Sequence, residues 1–487
     1  MQPKFETTVQ LLRHEVLTHV AKLAMEKTLD QHRDLIPYMI VQGKKPRFRC
    51  CVYKERAVLK ERVILACGND VRGSSGIIQV MQTACEECPV ERFTVTEACR
   101  GCIAHPCMEA CPVGAISQIN RRAIINQEKC IECGRCRQAC PYGAITDTQR
   151  PCIKACPVKA ISYSEDKLAT IDQKKCINCG QCAYRCPFGA ISDKSFITQV
   201  IGTLQAKDRP VYAVLAPAVV AQFPEANLGQ IRTALKQIGF FDVVEAALGA
   251  DMIVPEEAKE LEEKIHAGSF LTTSCCPAFY DMVDKHFPAL KGNVSTTVSP
   301  MIAAARYIKA KDANAVVVFI GPCIAKKAEI TRESVAGAVD YTLTFEELFA
   351  LFHATGIDPA ECESNLREET SPFSRAFARS GGVTAAVVQS LKEANKQLEV
   401  RPVKCNGAEE CIKALRLAKV GKLPENFIEG MVCVGGCIGG PAALNHSAKA
   451  KAMIDKFSAE AQVKTIREAL EPLDDSDVDL HSHPSHS

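Results

Sequence analysis

The chain has no tryptophan, no excess of charge of either sign and no long hydrophobic run. Basic and acidic side chains nearly cancel, 59 against 57. A nucleic-acid or membrane-surface protein would normally show a one-sided balance, so neither partner is expected. No stretch approaches the roughly 18 uninterrupted apolar residues of a membrane-spanning helix. The first twenty positions interleave Lys4, Glu6, Arg13, His14 and Glu15 with apolar residues, which is not the pattern of a secretory leader. There is no nicotinamide or flavin fingerprint and no plant-type [2Fe–2S] run, so direct NAD(P) reduction by this chain is not expected.

What the chain has in excess is cysteine, 27 in 487 residues. A cytoplasmic setting is the expectation for a chain of this size without a leader, and thiols stay reduced there. The cysteines therefore need explaining as metal ligands, catalytic thiols or buried fillers. Fourteen fall between Cys99 and Cys186, with Cys85 and Cys88 just before; none follows until Cys275. That gap divides the chain into two main parts.

The first part repeats a short unit: Cys111-Pro-Val-Gly-Ala-Ile, Cys140-Pro-Tyr-Gly-Ala-Ile, Cys156-Pro-Val-Lys-Ala-Ile and Cys186-Pro-Phe-Gly-Ala-Ile. Cys130, Cys133, Cys136 and Cys140-Pro follow C-x2-C-x2-C-x3-C-P, and Cys176, Cys179, Cys182 and Cys186-Pro repeat it. This is the ligand run of bacterial [4Fe–4S] ferredoxins, in which three close thiolates hold one cubane and the fourth ligates its neighbour. Cys99, Cys102, Cys107 and Cys111 form a variant with a longer middle gap. The shared fourth ligand predicts three clusters: Cys99, Cys102 and Cys107 with Cys140; Cys130, Cys133 and Cys136 with Cys111; and Cys176, Cys179 and Cys182 with Cys156. Cys85, Cys88, Cys152 and Cys186 remain, and a fourth cluster on them is the expectation, against four vestigial thiols. Three or four such clusters read as an electron wire.

The second part alternates short buried strands (211–215, 316–320) with helices (228–238, 256–265, 344–354, 384–398), the pattern of an α/β core. Three of its segments place cysteine beside Gly or Pro: Thr273-Ser-Cys-Cys-Pro-Ala-Phe279, Phe319-Ile-Gly-Pro-Cys-Ile-Ala-Lys-Lys-Ala-Glu329 and Glu429-Gly-Met-Val-Cys-Val-Gly-Gly-Cys-Ile-Gly-Gly440. Together they offer five thiols, enough for a cubane and one further contact.

These segments resemble the three signature motifs of the [FeFe]-hydrogenase catalytic domain, over about residues 205–445, and the ferredoxin array before them fits that family too. The resemblance implies an α+β, ferredoxin-like multi-cluster N-terminal region followed by an α/β [FeFe]-hydrogenase catalytic domain. It implies an H-cluster, a [4Fe–4S] cubane joined through a cysteine sulfur to a two-iron unit with CO, cyanide and an azadithiolate bridge. By motif, Cys276, Cys323, Cys433 and Cys437 hold the cubane, with Cys437 bridging. Cys275 passes protons, Lys326 hydrogen-bonds a cyanide, and Met431 packs beside the two-iron unit. Ala216-Pro217-Ala218 resembles the loop that contacts the other cyanide. Ala218, Gly321, Met301 and Phe279 stand where serine, methionine, glutamine and tryptophan are common, which points to a less-studied monomeric branch. Glu257, Glu260 and Ser295 match the family's proton relay, with Lys264 in place of an arginine.

The implied activity is that of a ferredoxin-dependent iron hydrogenase, with H2, protons, a ferredoxin-type carrier and hydrogenase maturation proteins as partners. A hydrogen sensor and a non-enzymatic iron–sulfur assembly protein are the alternatives. Sensors of this type usually carry an appended signalling module, and assembly relatives would be expected to lose Cys275, Lys326, Glu257 and Glu260.

The expected domains are 1–80, a helical/β segment of unknown role; 81–195, tandem [4Fe–4S] ferredoxin-like domains; 205–445, the H-cluster domain; and 446–487, a helix and tail. Within the first, 8–31 reads as a helix and 47–66 as β-like. At the end, 447–470 reads as one helix. The acidic, then His- and Ser-rich 474–487, with His481, His483 and His486, reads as a disordered tail. Cys50, Cys51, Cys67, Cys362, Cys405 and Cys411 match no motif.

Overall fold

The computed structural model describes residues 5–86, 88–473 and 477–482. No helix among them is long and apolar enough to cross a membrane. The second half is built on two all-parallel sheets. One orders its strands Asp242–Glu245, Val211–Leu215, Val316–Gly321, Tyr341–Thr344; the other Leu271–Thr272, Phe427–Met431, Pro402–Asn406. The central strand Val-Val-Val-Phe-Ile-Gly is buried at every position, as a strand covered on both faces must be. The edge strand Asp242–Glu245 alternates buried and half-buried instead.

Crossover helices are punctuated by their own caps. Leu228–Ile238 opens on a capping box between Asn227 and Gln230. Phe345–Thr355 opens on one between Thr344 and Glu347, and closes on Gly356 at φ +71°. Ala246–His266 is longer than the 256–265 read from sequence, because its first half is almost wholly buried and lacks a polar face to mark it.

The ferredoxin-like region is made of two-stranded antiparallel ribbons, among them Ile116–Ile119 with Arg122–Ile125, Ile161–Tyr163 with Ala169–Ile171, and Phe93–Val95 with Ile145–Asp147. Ile78–Val80 pairs with Ile191–Asp193 and so closes this region from the N-terminal side.

The first eighty residues differ from expectation. The segment read as β-like holds the helix Val52–Ala66, capped by the Cys51 sulfur, which accepts from the Lys54 amide at 3.4 Å. Its β-branched residues misled the reading, whereas the buried positions Val52, Glu55, Val58, Leu59, Arg62, Val63 and Ala66 recur at helical spacing. The helix read over 8–31 spans Thr8–Met25 and stops before Lys27 at φ +57°. Val16, Val20, Ile36 and Leu59 belong to the same core as Val214, Val317 and Phe349 of the α/β part.

At the other end, the single helix expected over 447–470 is two, Ala450–Ala459 and Ile466–Leu470, the second opened by a Thr465–Glu468 capping box. The tail expectation also fails where it is described: Leu480 and Ser482 exchange backbone hydrogen bonds with Val298 and Thr296 at 2.8 Å each. His483 and His486 lie outside the described residues.

Candidate active site and metal centres

Four loops leave the C-terminal ends of parallel strands and meet around one cavity. Ala216–Ala218 follows Val211–Leu215, Cys275 and Cys276 follow Leu271–Thr272, Cys323 and Lys326 follow Val316–Gly321, and Cys433 and Cys437 follow Phe427–Met431. Carboxyl ends of parallel strands are where open α/β sheets place their ligands. Burial pushes the Cys323 thiol up to about 12, reinforced by neighbouring charge at Cys276 and Cys437. Cys433 is raised by burial too, and then by Cys323, Cys276 and Cys437. The motif thiols thus form one group on a shared cavity.

The donor set suits an iron–sulfur cluster. Soft thiolates match iron in sulfide clusters. Among the described residues, no three His, Cys, Asp or Glu side chains close on a single ion; the thiols are spread around a cavity instead. Gly436, at φ +86°, turns the Cys433–Cys437 loop where a Cβ would lie 2.6 Å from the Ser380 amide nitrogen, so only glycine fits.

The rest of the lining is almost entirely apolar: Ala246, Ala247, Ala250, Met301, Phe377, Ala378 and Met431 among others. Lys326 supplies the cation. Its Nζ donates to Glu329 Oε2 at 2.7 Å and to the Cys275 carbonyl at 3.3 Å, which aims it at the cavity wall beside Cys275. Two of the departures from the usual family residues, Gly321 and Phe279, have steric reasons. A side chain at 321 would place Cβ 2.7 Å from the Phe319 ring. Phe279 is fully buried, and its ring fills the space over Gly430, whose Cβ would lie 2.3 Å away. Ala218 is fully buried and carries no hydroxyl to donate.

Two residues of the expected proton relay, Glu257 and Glu260, lie on the helix Ala246–His266. Burial raises the Cys275 thiol well above its ordinary value, with Glu257 the next cause. Glu257 is itself fully buried, and neither carboxylate oxygen has a hydrogen-bond partner. Burial, then the charges of Glu260 and Glu429, push it to about 8, so it holds a proton at neutral pH. Glu260, three residues on, accepts from the Thr296 amide at 3.0 and 3.2 Å and from its hydroxyl. Ser295 bonds Thr297 Oγ1 at 2.8 Å, and Thr297 bonds Ser274, the neighbour of Cys275. Ser295 therefore braces the Cys275 loop and makes no bond to Glu257. Lys264 donates to the Gly292 carbonyl at 2.7 Å. Thr296, Phe377 and Ala378 escaped sequence reading, since nothing in their local pattern marks them.

The ferredoxin-like cysteines group as the shared-ligand rule predicts. One cavity is lined by Cys99, Cys102, Cys107 and Cys140 and another by Cys111, Cys130, Cys133 and Cys136. Cys182 is raised by burial and by Cys179, Cys176 and Cys156. Cys152 is pushed to about 12 by burial, then by Cys186, Cys85 and Cys88, so these four leftover cysteines are also neighbours. Backbone amides point at several sulfurs, as Ala190 does to Cys186 at 3.2 Å and Ala169 to Cys85 at 3.3 Å.

Neighbouring charges connect several of the groups. Cys433 feels Cys179, and Cys179 feels Cys276, which sets the Cys176 group against the large cavity. Cys182 feels Cys152, which puts the leftover group next. Tyr163 lies within electrostatic range of Cys152 and Cys88 and also of Glu132, inside the Cys130–Cys136 loop.

Residues 209–441 match the domain described as "Iron only hydrogenase large subunit, C-terminal domain", and residues 123–146 and 169–192 each match a "4Fe-4S binding domain". Iron hydrogenase 1 of Clostridium pasteurianum is 28% identical over 299 residues, 51% of this chain and 52% of that protein. The periplasmic [Fe] hydrogenase large subunit of Nitratidesulfovibrio vulgaris is 28% identical over 301 residues, 51% of this chain and 72% of that protein. The match thus spans about half the length of the clostridial relative. In fold, an [FeFe]-hydrogenase structure from Chlamydomonas reinhardtii superposes with a TM-score of 0.50 at 21% identity, covering 59% of this chain and 98% of that one. With ferredoxin-type cluster domains in front and the three-motif cavity behind, the chain belongs to the iron-only, or [FeFe], hydrogenase family.

Proposed function

We propose that the chain is a hydrogenase that interconverts two protons and two electrons with H2 and exchanges the electrons with a ferredoxin-type carrier. The observation that carries this is the apolar cavity on which four cluster-type thiols, a fifth thiol and a buried lysine meet. Cys276, Cys323, Cys433 and Cys437 would hold the cubane of an H-cluster, and the two-iron unit would occupy the space beside Met431 and Lys326. When bound, that group supplies the redox chemistry of hydrogen; the protein supplies position, hydrogen bonds and dryness.

Each residue has a separate task. Lys326, fixed by Glu329, offers a positive hydrogen-bond donor to an anionic ligand in a low-dielectric site, where such a bond is strongest. Cys275 stays a protonated thiol because of its burial and Glu257, so it can deliver a proton and recover one. Glu257 holds a proton at neutral pH, raises the Cys275 thiol and is itself raised by Glu260, which supports a relay through these three groups. The alanines, Met301 and Phe377 exclude water.

Clusters held by these groups would carry the electrons, and a fourth cluster on Cys85, Cys88, Cys152 and Cys186 would link the outer groups to the Cys176 group. Assembly of the two-iron unit by maturation proteins belongs to the same reading. Infrared spectroscopy of anaerobically matured protein tests it: CO and cyanide stretching bands are expected, and a spectrum without them would remove the hydrogenase reading.

A further inference from the structure

The segment after Val478 is seated on the catalytic part at the outer end of the proposed relay. Asp479–Ser482 runs antiparallel to Thr296–Val298, bridged at Thr297 and His481. Arg306 fastens it from the other side, donating to the Asp479 and His481 carbonyls at 2.5 and 2.9 Å. The imidazole of His481 is thereby brought to the one wet carboxylate of the relay. Its Nδ1 lies 2.8 Å from Thr296 Oγ1, the same hydroxyl that bonds Glu260 Oε1. Nδ1 is 4.0 Å from Glu260, and Nε2 is 3.9 Å from Glu256. The side chain keeps 39% of its surface exposed, against 17% for Glu260.

The hydrogen bonds fix the protonation pattern. A threonine hydroxyl has a single proton, and here it is given to Glu260. His481 must then donate from Nδ1–H to Thr296 Oγ, which leaves the Nε2 lone pair facing outward. We propose that His481 is the outermost proton-carrying group of this protein, exchanging protons between solvent and Glu260 through the Thr296 hydroxyl. The proposal rests on the Glu257–Glu260 relay read above. Inward, Nε2 takes a proton from water, Nδ1 gives its proton to Thr296 Oγ, and Thr296 gives its own to a Glu260 carboxylate oxygen. One proton moves from solvent to Glu260, and no electron is transferred. Outward transfer reverses each step. The charged groups facing the ring are Glu256 and Glu260 on one helix, Arg306 on another and Asp479 on its own segment.

Imidazole suits this place because it accepts a proton on one ring nitrogen and donates one from the other. A carboxylate that takes protons directly from water at neutral pH meets few hydronium ions, whereas imidazolium and buffer acids are abundant.

The test uses the matured, full-length protein and three variants, His481→Gln, Thr296→Val and Glu260→Gln. Turnover of His481→Gln should fall roughly tenfold in weak buffer and recover when free imidazole is added, with the KM for the electron carrier unchanged. Its melting temperature should equal that of the parent, which a purely structural clamp would not allow. With 13C-labelled histidine, the resonance lost in His481→Gln should move in Glu260→Gln and Thr296→Val. If Glu260→Gln is slow but His481→Gln is normal in weak buffer, the His481 proposal falls and the relay stands. Normal turnover in Glu260→Gln removes the relay itself. A His481 resonance unmoved by both other variants also overturns the proposal.

Discussion

Lys327, with no exposed surface, donates to Asp193 at 2.8 Å and to Glu347 at 2.8 Å. Asp193 ends the ferredoxin-like strand Ile191–Asp193, and Lys327 sits four residues past Cys323, so this ion pair joins the cluster region to the active-site loop. Arg13 of the N-terminal helix reaches the same Asp193 at 2.8 Å. Removing one partner of a buried charge set leaves the others uncompensated, at a cost of about 3–5 kcal/mol. Lys327→Met should lower stability by that order in a denaturant titration. Electron transfer from the last cluster to the active site should slow as well, because the joint that fixes their separation loosens. Unchanged stability would show that Arg13 alone compensates Asp193 and that the Lys327 ion pairs contribute nothing.

Cys152→Ser tests the fourth cluster. Cys152 is buried among Cys85, Cys88 and Cys186. The variant should lose about four iron atoms per chain while keeping its active-site infrared bands. An iron content equal to the parent's would mean that these thiols hold no cluster.

Glu257→Gln should move stability and activity in opposite directions. A carboxyl raised to about 8 in the fold keeps a proton that the unfolded chain releases near pH 4.5. The native state binds more protons between those values, so the parent loses stability as pH rises from about 4.5 to about 8. Glutamine removes that slope, and the variant should gain relative stability across the window. Turnover should fall by roughly 10²–10⁴, the usual contribution of a proton-transferring group. Melting curves at several pH values, beside turnover, check both halves.

His14 and His353 face each other at 2.8 Å under Phe5 and Phe349. Burial, then His353, hold His14 down to about 4, so it is neutral in the fold. Its contribution is whole above about pH 6.5 and is lost as pH falls toward 4; at most about 3 kcal/mol is at stake. His14→Leu should flatten the acid side of the stability profile. An unaltered profile would place the acid sensitivity elsewhere.

The cluster ligands and the three motifs were legible because their chemistry is written as local spacing. Cys130–Cys140 or Thr273–Pro277 can be read without knowing what they touch. The fourth group was readable only by elimination, since Cys85 and Cys152 are far apart in the chain. Thr296 and His481 were not legible at all. Their meaning lies in a pairing between residues 185 apart, and a polar, His-rich terminus has the composition of a loose tail. The helix Val52–Ala66 was misread because its apolar residues are largely β-branched. The extent of Ala246–His266 was missed because a helix buried on all sides shows no amphipathic period.

On the proposed reading the thiol groups act as a circuit in series that ends at the large cavity. Its outer part is also its more exposed, since Cys133 lies open to solvent while Cys176, Cys182 and Cys186 are buried. Oxygen or an oxidant arriving from outside would strike there first. Such damage would cut the protein off from its electron carrier while leaving the chemistry at the far end of the circuit untouched. A sample disabled in this way would still exchange deuterium gas with the protons of water, a reaction that needs no external electrons. Loss of carrier-linked turnover and loss of isotope exchange should therefore occur at different times during inactivation.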